Sequence, residues 1–180
     1  MPSFPARAAL RAGADEEQVR CLLTDDGFRR AYWGGHLAER AFWDALGIPV
    51  PTDIDRAGIL DLGVRVPPAR VAAWRDRAEI WIISNHRHEW LMPVLGRTGL
   101  DAVVDRIEVS SLTGRVKPHP SAWEALIDDG TPAERVAVVD DQAANLDAAR
   151  HLGITAIAAD PDDAGARWAD ALDAWLASRP

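Results

Sequence analysis

Apolar and polar positions keep one rhythm up to about residue 66 and another beyond it. In the first stretch they recur at helical spacing. Ala6 to Ala12 reads as a helix ending at Gly13, and Asp15 to Leu23 as a second with acidic residues early. Asp25-Asp26-Gly27 is a turn signal, followed by a short aromatic-basic pattern over Phe28 to Trp33. Leu37, Ala38, Ala41, Phe42 and Ala45 share one face of a helix over Leu37 to Leu46 that Gly47 stops. Pro49 and Pro51 break the chain before a further helical pattern over Asp53 to Leu62. No strand pattern occurs in this part.

From Pro67 the rhythm alternates. Pro67-Pro68 opens a helix through Arg77. Continuous apolar runs, the pattern of strands buried on both faces, stand at Glu79 to Ile83, Arg106 to Val109, Val136 to Val139 and Ile154 to Ala158. Helical patterns lie between and after them at Glu89 to Leu95 (bent at Pro93), Ala122 to Asp128, Asn145 to Leu152 and Asp163 to Ser178. Such alternation indicates right-handed βαβ units and a parallel sheet. The expected organisation is a helical region over 1–66 and an α/β core over 67–180.

Composition narrows the picture in three ways. The net charge of −8 argues against nucleic acid or an anionic membrane as partner, so an anionic substrate needs a local basic group or a metal. The single cysteine, Cys21, excludes an internal disulfide. No apolar run reaches the length of a membrane span, and a cytoplasmic protein is expected. Eight tryptophans are read as core packing.

Three polar clusters fall where an open α/β sheet binds ligands, beyond the carboxyl ends of its strands. Ser84-Asn85 follows one strand, Asp140-Asp141 another, and Lys117 lies in the turn-rich loop Ser110 to Pro120. Together they suit phosphoryl chemistry. The Ser84 hydroxyl and the backbone N–H groups after it can hydrogen-bond a phosphate. Lys117 can neutralise it as a compact ammonium. Two adjacent carboxylates suit Mg²⁺, which takes few protein oxygens and keeps waters, or serve as an acid/base pair. Each also has a plain structural reading: Ser-Asn as turn chemistry, the lysine as a solvated charge, the aspartates as helix caps. His86, His88 and His119 are loop histidines whose spacing suits a transition metal, although solvation or capping is the ordinary role of such residues.

Ile80-Trp81-Ile82-Ile83-Ser84-Asn85, Gly114-Arg115-Val116-Lys117-Pro118-His119-Pro120 and Val138-Val139-Asp140-Asp141-Gln142-Ala143-Ala144-Asn145 resemble the second, third and fourth motifs of the haloacid dehalogenase-like (HAD) hydrolase superfamily. The likeness is close over Pro67 to Asp160. Ala6 to Leu62, with Gly35-His36-Leu37-Ala38-Glu39-Arg40-Ala41-Phe42-Trp43, is similar to the small helical cap of subfamily I. The resemblance implies an α/β, Rossmannoid parallel sheet with a small helical cap. It implies that Ser84 and Asn85 bind the phosphoryl group, with Ser84 and Lys117 in catalytic roles. Asp141 would ligate Mg²⁺, with Asp140 a second ligand or an orienting group. In the cap, Arg29, Arg30, Tyr32, Trp33 or His36 would shape specificity.

The family's first motif, an apolar central strand ending in a nucleophilic aspartate, has no counterpart where the resemblance places it. Before Ala6 stands only Met1-Pro2-Ser3-Phe4-Pro5, without an aspartate and with two prolines that remove ladder donors. Asp26 and Asp61 stand in two weaker imitations of that motif, at Thr24-Asp25-Asp26-Gly27-Phe28 and Ile59-Leu60-Asp61-Leu62-Gly63-Val64. The expected core thus lacks its central first strand, and the chain must close the gap, borrow a strand or continue upstream. The expected function is a Mg²⁺-dependent phosphatase of a small phosphorylated metabolite, inactive without its nucleophile. The alternatives are a non-catalytic binding protein on the same scaffold, with a homodimer repairing the open sheet, and a haloacid dehalogenase, which the acidic Asp140-Asp141 pair disfavours.

Overall fold

The computed structural model describes residues 9–10, 12–50, 66–127, 130–160, 162–163 and 166–179. The expected helix over Asp53 to Leu62, and Asp61 with it, lies outside the described residues, as does most of Ala6 to Ala12. In chain order come helices α1 (Glu16–Thr24), α2 (Asp26–Trp33), α3 (Glu39–Ala45) and α4 (Pro68–Arg75), then strand β1 (Trp81–Ser84), helix α5 (His88–Thr98), strand β2 (Arg106–Val109) and short helices α6 (Ser110–Thr113) and α7 (Ser121–Glu124). After a 3₁₀ turn at Ala133–Arg135 follow β3 (Ala137–Asp140), α8 (Ala143–His151), β4 (Thr155–Ala158) and α9 (Arg167–Ala177). No helix among the described residues is long and apolar enough to cross a membrane.

The four strands form two separate two-stranded sheets among the described residues, β1 with β2 and β3 with β4. β3 and β4 run parallel, with Ala137 opposite Thr155 and Asp140 opposite Ala158, and α8 joins them as the helix of a βαβ unit. Val138 is buried as the sequence pattern requires, whereas every residue of β1 is only half-buried.

The chain divides into two compact units. The first joins Met1–Gly63, Ile83–Ala102 and Glu108–Gly114. Asp15 caps α1 by accepting from Gln18 N at 3.0 Å, and Glu16 and Glu17 place negative charge on its first turn. Asp25-Asp26-Gly27, read as a turn, is instead the junction of α1 and α2. Asp25 ends one helix and caps the next, its carboxylate accepting from Phe28 N at 2.6 Å. The run before Asp26 is therefore helical, not a strand. The core of this unit holds Ala9, Val19, Tyr32, Phe42, Trp43 and Leu46 with Trp90 and Val94 of α5. Its aromatic rings pass contact along from Phe28 to Tyr32 (centroids 5.4 Å), Phe42 (5.8 Å), Trp43 (5.1 Å) and Trp90 (6.2 Å). Each such pair contributes roughly 0.5–1.5 kcal/mol beyond the area it buries. Pro93 sits inside α5 on its exposed side, and Gly99, at φ 72°, ends that helix.

The second unit comprises Val64–Ile82, Val103–Ile107 and Arg115–Pro180. Here α4 docks on α9 through polar contacts. Arg70 Nη2 donates to Asp170 and Asp173, each at 2.6 Å, Trp74 Nε1 donates to Asp173, and Arg77 donates to the Leu176 carbonyl at 2.7 Å. Trp175 of α9 donates to Thr155 Oγ1 of β4 at 3.2 Å, tying the helix to the strand.

Candidate functional site

In the second unit, β3 delivers Asp140 at the carboxyl end of a parallel strand, and the next residue, Asp141, is exposed. The Asp140 side chain is 5% exposed. Its Oδ2 accepts from Lys117 Nζ at 2.7 Å. Its Oδ1 accepts from Gln142 N and from Asn145 Nδ2, both at 2.9 Å. Burial alone would raise the Asp140 carboxyl, but the Lys117 ammonium and the two further donors outweigh it and hold the group below its ordinary value. Lys117, read from sequence as solvated when taken alone, is 12% exposed at its side chain and lies over the Trp123 ring, 5.6 Å from Nζ to the centroid. Two residues 23 positions apart thus form a buried ion pair. Removing both charges from water is costly, and extra hydrogen bonds of this kind are what make such a pair tolerable.

This geometry divides the two aspartates. Both oxygens of Asp140 are engaged by donors within the protein. Asp141 is the carboxylate open to solvent. No cluster of three or more His, Cys, Asp or Glu side chains suited to a metal occurs among the described residues. His119 Nδ1 instead contacts Ser121 Oγ at 2.9 Å. The donor set that remains fits Mg²⁺, which needs one or two carboxylates and completes its shell with waters and phosphate oxygens.

Ser84 and Asn85 belong to the first unit, where they end β1 half-buried. The turn that follows is firmly held. His86 N donates to Ser84 O at 3.0 Å and to Ser110 Oγ at 3.1 Å, and Ser110 Oγ donates to Trp33 O at 2.7 Å. Burial depresses His86 to a pKa of about 4, so the ring is neutral at pH 7. Arg87, 6% exposed, donates to the carbonyls of Leu37 (2.6 Å) and Tyr32 (3.3 Å), pairs with Glu89 at 2.7 Å, and lies 5.2 Å from the Tyr32 ring centre. Gly35 packs so closely on Ser111 that a Cβ would come within 2.1 Å of its carbonyl oxygen.

Of the cap residues proposed for specificity, Tyr32 is 1% exposed and belongs to the core, where burial raises its hydroxyl. Arg29 pairs with Asp26 on the surface at 3.4 Å, His36 is exposed and Trp33 half-buried. The residues that sequence reasoning passed over are Asn145, Arg87 and Ser110. A polar residue on the buried side of the helix after Asp140 was a legible sign for Asn145. Nothing in the local pattern marks Arg87, whose partners are 50 and 55 positions away.

Residues 65–153 match the family model described as haloacid dehalogenase-like hydrolase. No curated protein matches the sequence. Among solved structures, a HAD-like family hydrolase from Porphyromonas gingivalis superposes with a TM-score of 0.73 at 20% identity, over 96% of this chain and 89% of that one. A HAD family enzyme from Bacteroides thetaiotaomicron, in complex with magnesium and inorganic phosphate, gives 0.64 at 16% identity over 89% of this chain and 86% of its own. An L-2-haloacid dehalogenase gives 0.54 at 19% identity over 87% and 79% respectively.

Proposed function

We propose that the chain, whose residues 65–153 match the haloacid dehalogenase-like hydrolase model, belongs to that family and carries the phosphate- and Mg²⁺-binding part of a phosphatase site for a small phosphorylated metabolite. The observation that carries this reading is the buried Lys117–Asp140 pair at the end of β3, with Asp141 open beside it. Lys117 neutralises phosphate charge, and Asp140 fixes the direction of the ammonium. Asp141 would hold the metal, which when bound shields the charge of the phosphate oxygens. Forming an aspartyl-phosphate requires a carboxylate free to attack. Asp140 has both oxygens committed, and Asp141 is taken by the metal. By itself, then, this chain binds phosphate without turning it over.

Calorimetry with inorganic phosphate, and hydrolysis of p-nitrophenyl phosphate, test the two halves. Phosphate binding that strengthens with Mg²⁺ and weakens about tenfold or more in Lys117→Met is expected, a loss of roughly 1.4 kcal/mol or more. Absence of Mg²⁺-linked phosphate binding would remove the reading. Turnover that disappears in Asp141→Ala would overturn its non-catalytic half and direct attention to Asp26 and Asp61 as attacking groups.

A further inference from the structure

Lys117 is the one lysine among the 20 lysines and arginines of the chain. Every other strongly basic side chain is a guanidinium. The exception stands where the cation meets two unlike partners. Its Nζ donates to Asp140 Oδ2 at 2.7 Å and lies 5.6 Å from the centre of the Trp123 ring. A guanidinium gains most from flat, two-pronged contacts, whereas an ammonium is a compact point charge that suits one carboxylate oxygen and a ring.

Main-chain turns bring the ring there. His119 N donates to Val116 O at 3.0 Å, Ala122 N to His119 O at 3.0 Å and Trp123 N to Pro120 O at 2.8 Å, so the chain winds tightly from Val116 into α7 and returns Trp123 to the side of Lys117. Trp123 is 1% exposed, and its Nε1 is buried without a hydrogen-bond partner. Packing alone is served as well by phenylalanine, which brings no N–H to leave orphaned. What indole adds is the strongest attraction for a cation among the aromatic faces. The two partners of the ammonium therefore differ in kind. Asp140 offsets the charge of Lys117. The ring attracts the ammonium through its quadrupole and leaves the charge in place for an anion to meet.

We propose that Trp123 is a positioning residue for Lys117. Its π face shares with Asp140 the holding of the ammonium, and it keeps hold when an anion draws the ammonium toward itself. The seat exists in the free chain and needs no ligand. Its effect on phosphate affinity rests on the proposed phosphate site.

A full chain made with ¹⁵N-labelled lysine gives a single side-chain ammonium signal in NMR, that of Lys117. Tryptophans carrying one, two or three ring fluorines, introduced at Trp123 alone, withdraw π density with little change of size. Across this series the ammonium protons of the free chain exchange with water faster in steps, by about tenfold in total, the loss of one cation–π contact in a desolvated site. Affinity for inorganic phosphate with Mg²⁺ falls in the same order, while the melting temperature stays nearly constant. Trp123→Leu lies at or beyond the end of the series. Ammonium exchange that ignores fluorination overturns the proposal, and the ring is then packing only. Graded exchange with an ungraded phosphate affinity overturns it as well, since the contact then does not act on the ligand. A native chain that binds no phosphate with Mg²⁺ removes the phosphate site, while graded exchange in that chain still supports the seat.

Discussion

Asp140 accepts three hydrogen bonds and neutralises a lysine that is itself nearly out of water. Asp140→Asn keeps the size of the side chain but leaves the Lys117 charge without its counter-ion. Breaking a buried pair in this way costs about 3–5 kcal/mol, and urea denaturation of the variant is expected to show a loss of that order. Replacing both residues by apolar ones is expected to cost less than either single change. Two groups also set an acid limit. The folded Asp140 carboxyl lies below its ordinary 3.8, so its stabilisation is present above that value and lost as pH falls through the folded pKa. His86 acts earlier. Its folded pKa of about 4 lies below the ordinary 6.5, so between these values the unfolded chain takes up a proton that the folded chain does not. The His86 contribution is complete above pH 6.5, declines from there to about pH 4 and is constant below, where the loss from Asp140 continues. His86→Phe is expected to flatten that slope in denaturation midpoints measured across the range. At this scale the sequence named Lys117 and Asp140 separately but could not show that they meet, since nothing local encodes a contact across 23 positions.

Elements were more legible where local chemistry decides them. β2 runs over Arg106–Val109 as its apolar run predicts, and α1 follows its acidic start. The failures are instructive. Asp25-Asp26-Gly27 has the composition of a turn, yet one aspartate serves as the end of α1 and the cap of α2, so the helix continues through Asp26 and Gly27. α5 extends to Thr98 despite Pro93, which sits on an exposed position where the backbone group it leaves unpaired can reach water. Connections between elements are also fixed by contacts no window of sequence displays. Gly35, at φ 80°, lies against the Ser111 carbonyl and carries the segment after α2 over α6. Gly35→Ala meets both a backbone clash and an unfavourable φ. It is expected to cost about 2 kcal/mol or more, while Gly47→Ala, at φ 67° in open space, costs about 1 kcal/mol. Thermal melts of the two variants compare these directly.

For the whole chain, the run of alternating elements foretold the βαβ unit of β3, α8 and β4. The sequence did not reveal that the strands among the described residues form two separate pairs. An apolar run announces a strand suited to burial, but its burial depends on neighbours contributed from elsewhere, and β1 is left half-exposed. Charge acts on the molecule as a unit. With a net charge of −8 and a pI near 5.0, mutual repulsion vanishes at about pH 5, inside the range where His86 already weakens the fold. Light scattering is expected to show a solubility minimum near that pH, with recovery above pH 6.5 in the native protein.

The ring contact between Trp43 and Trp90 has an optical side. The two indoles are 6.2 Å apart and inclined by 30°, close enough for their excited states to couple. Such a pair behaves as one delocalised chromophore and contributes a two-lobed band of opposite signs to the far-ultraviolet circular dichroism spectrum. Trp74 and Trp168 form a second such pair, 6.0 Å apart, in the other unit, so the part of the band lost in Trp43→Phe reports the melting of the first unit.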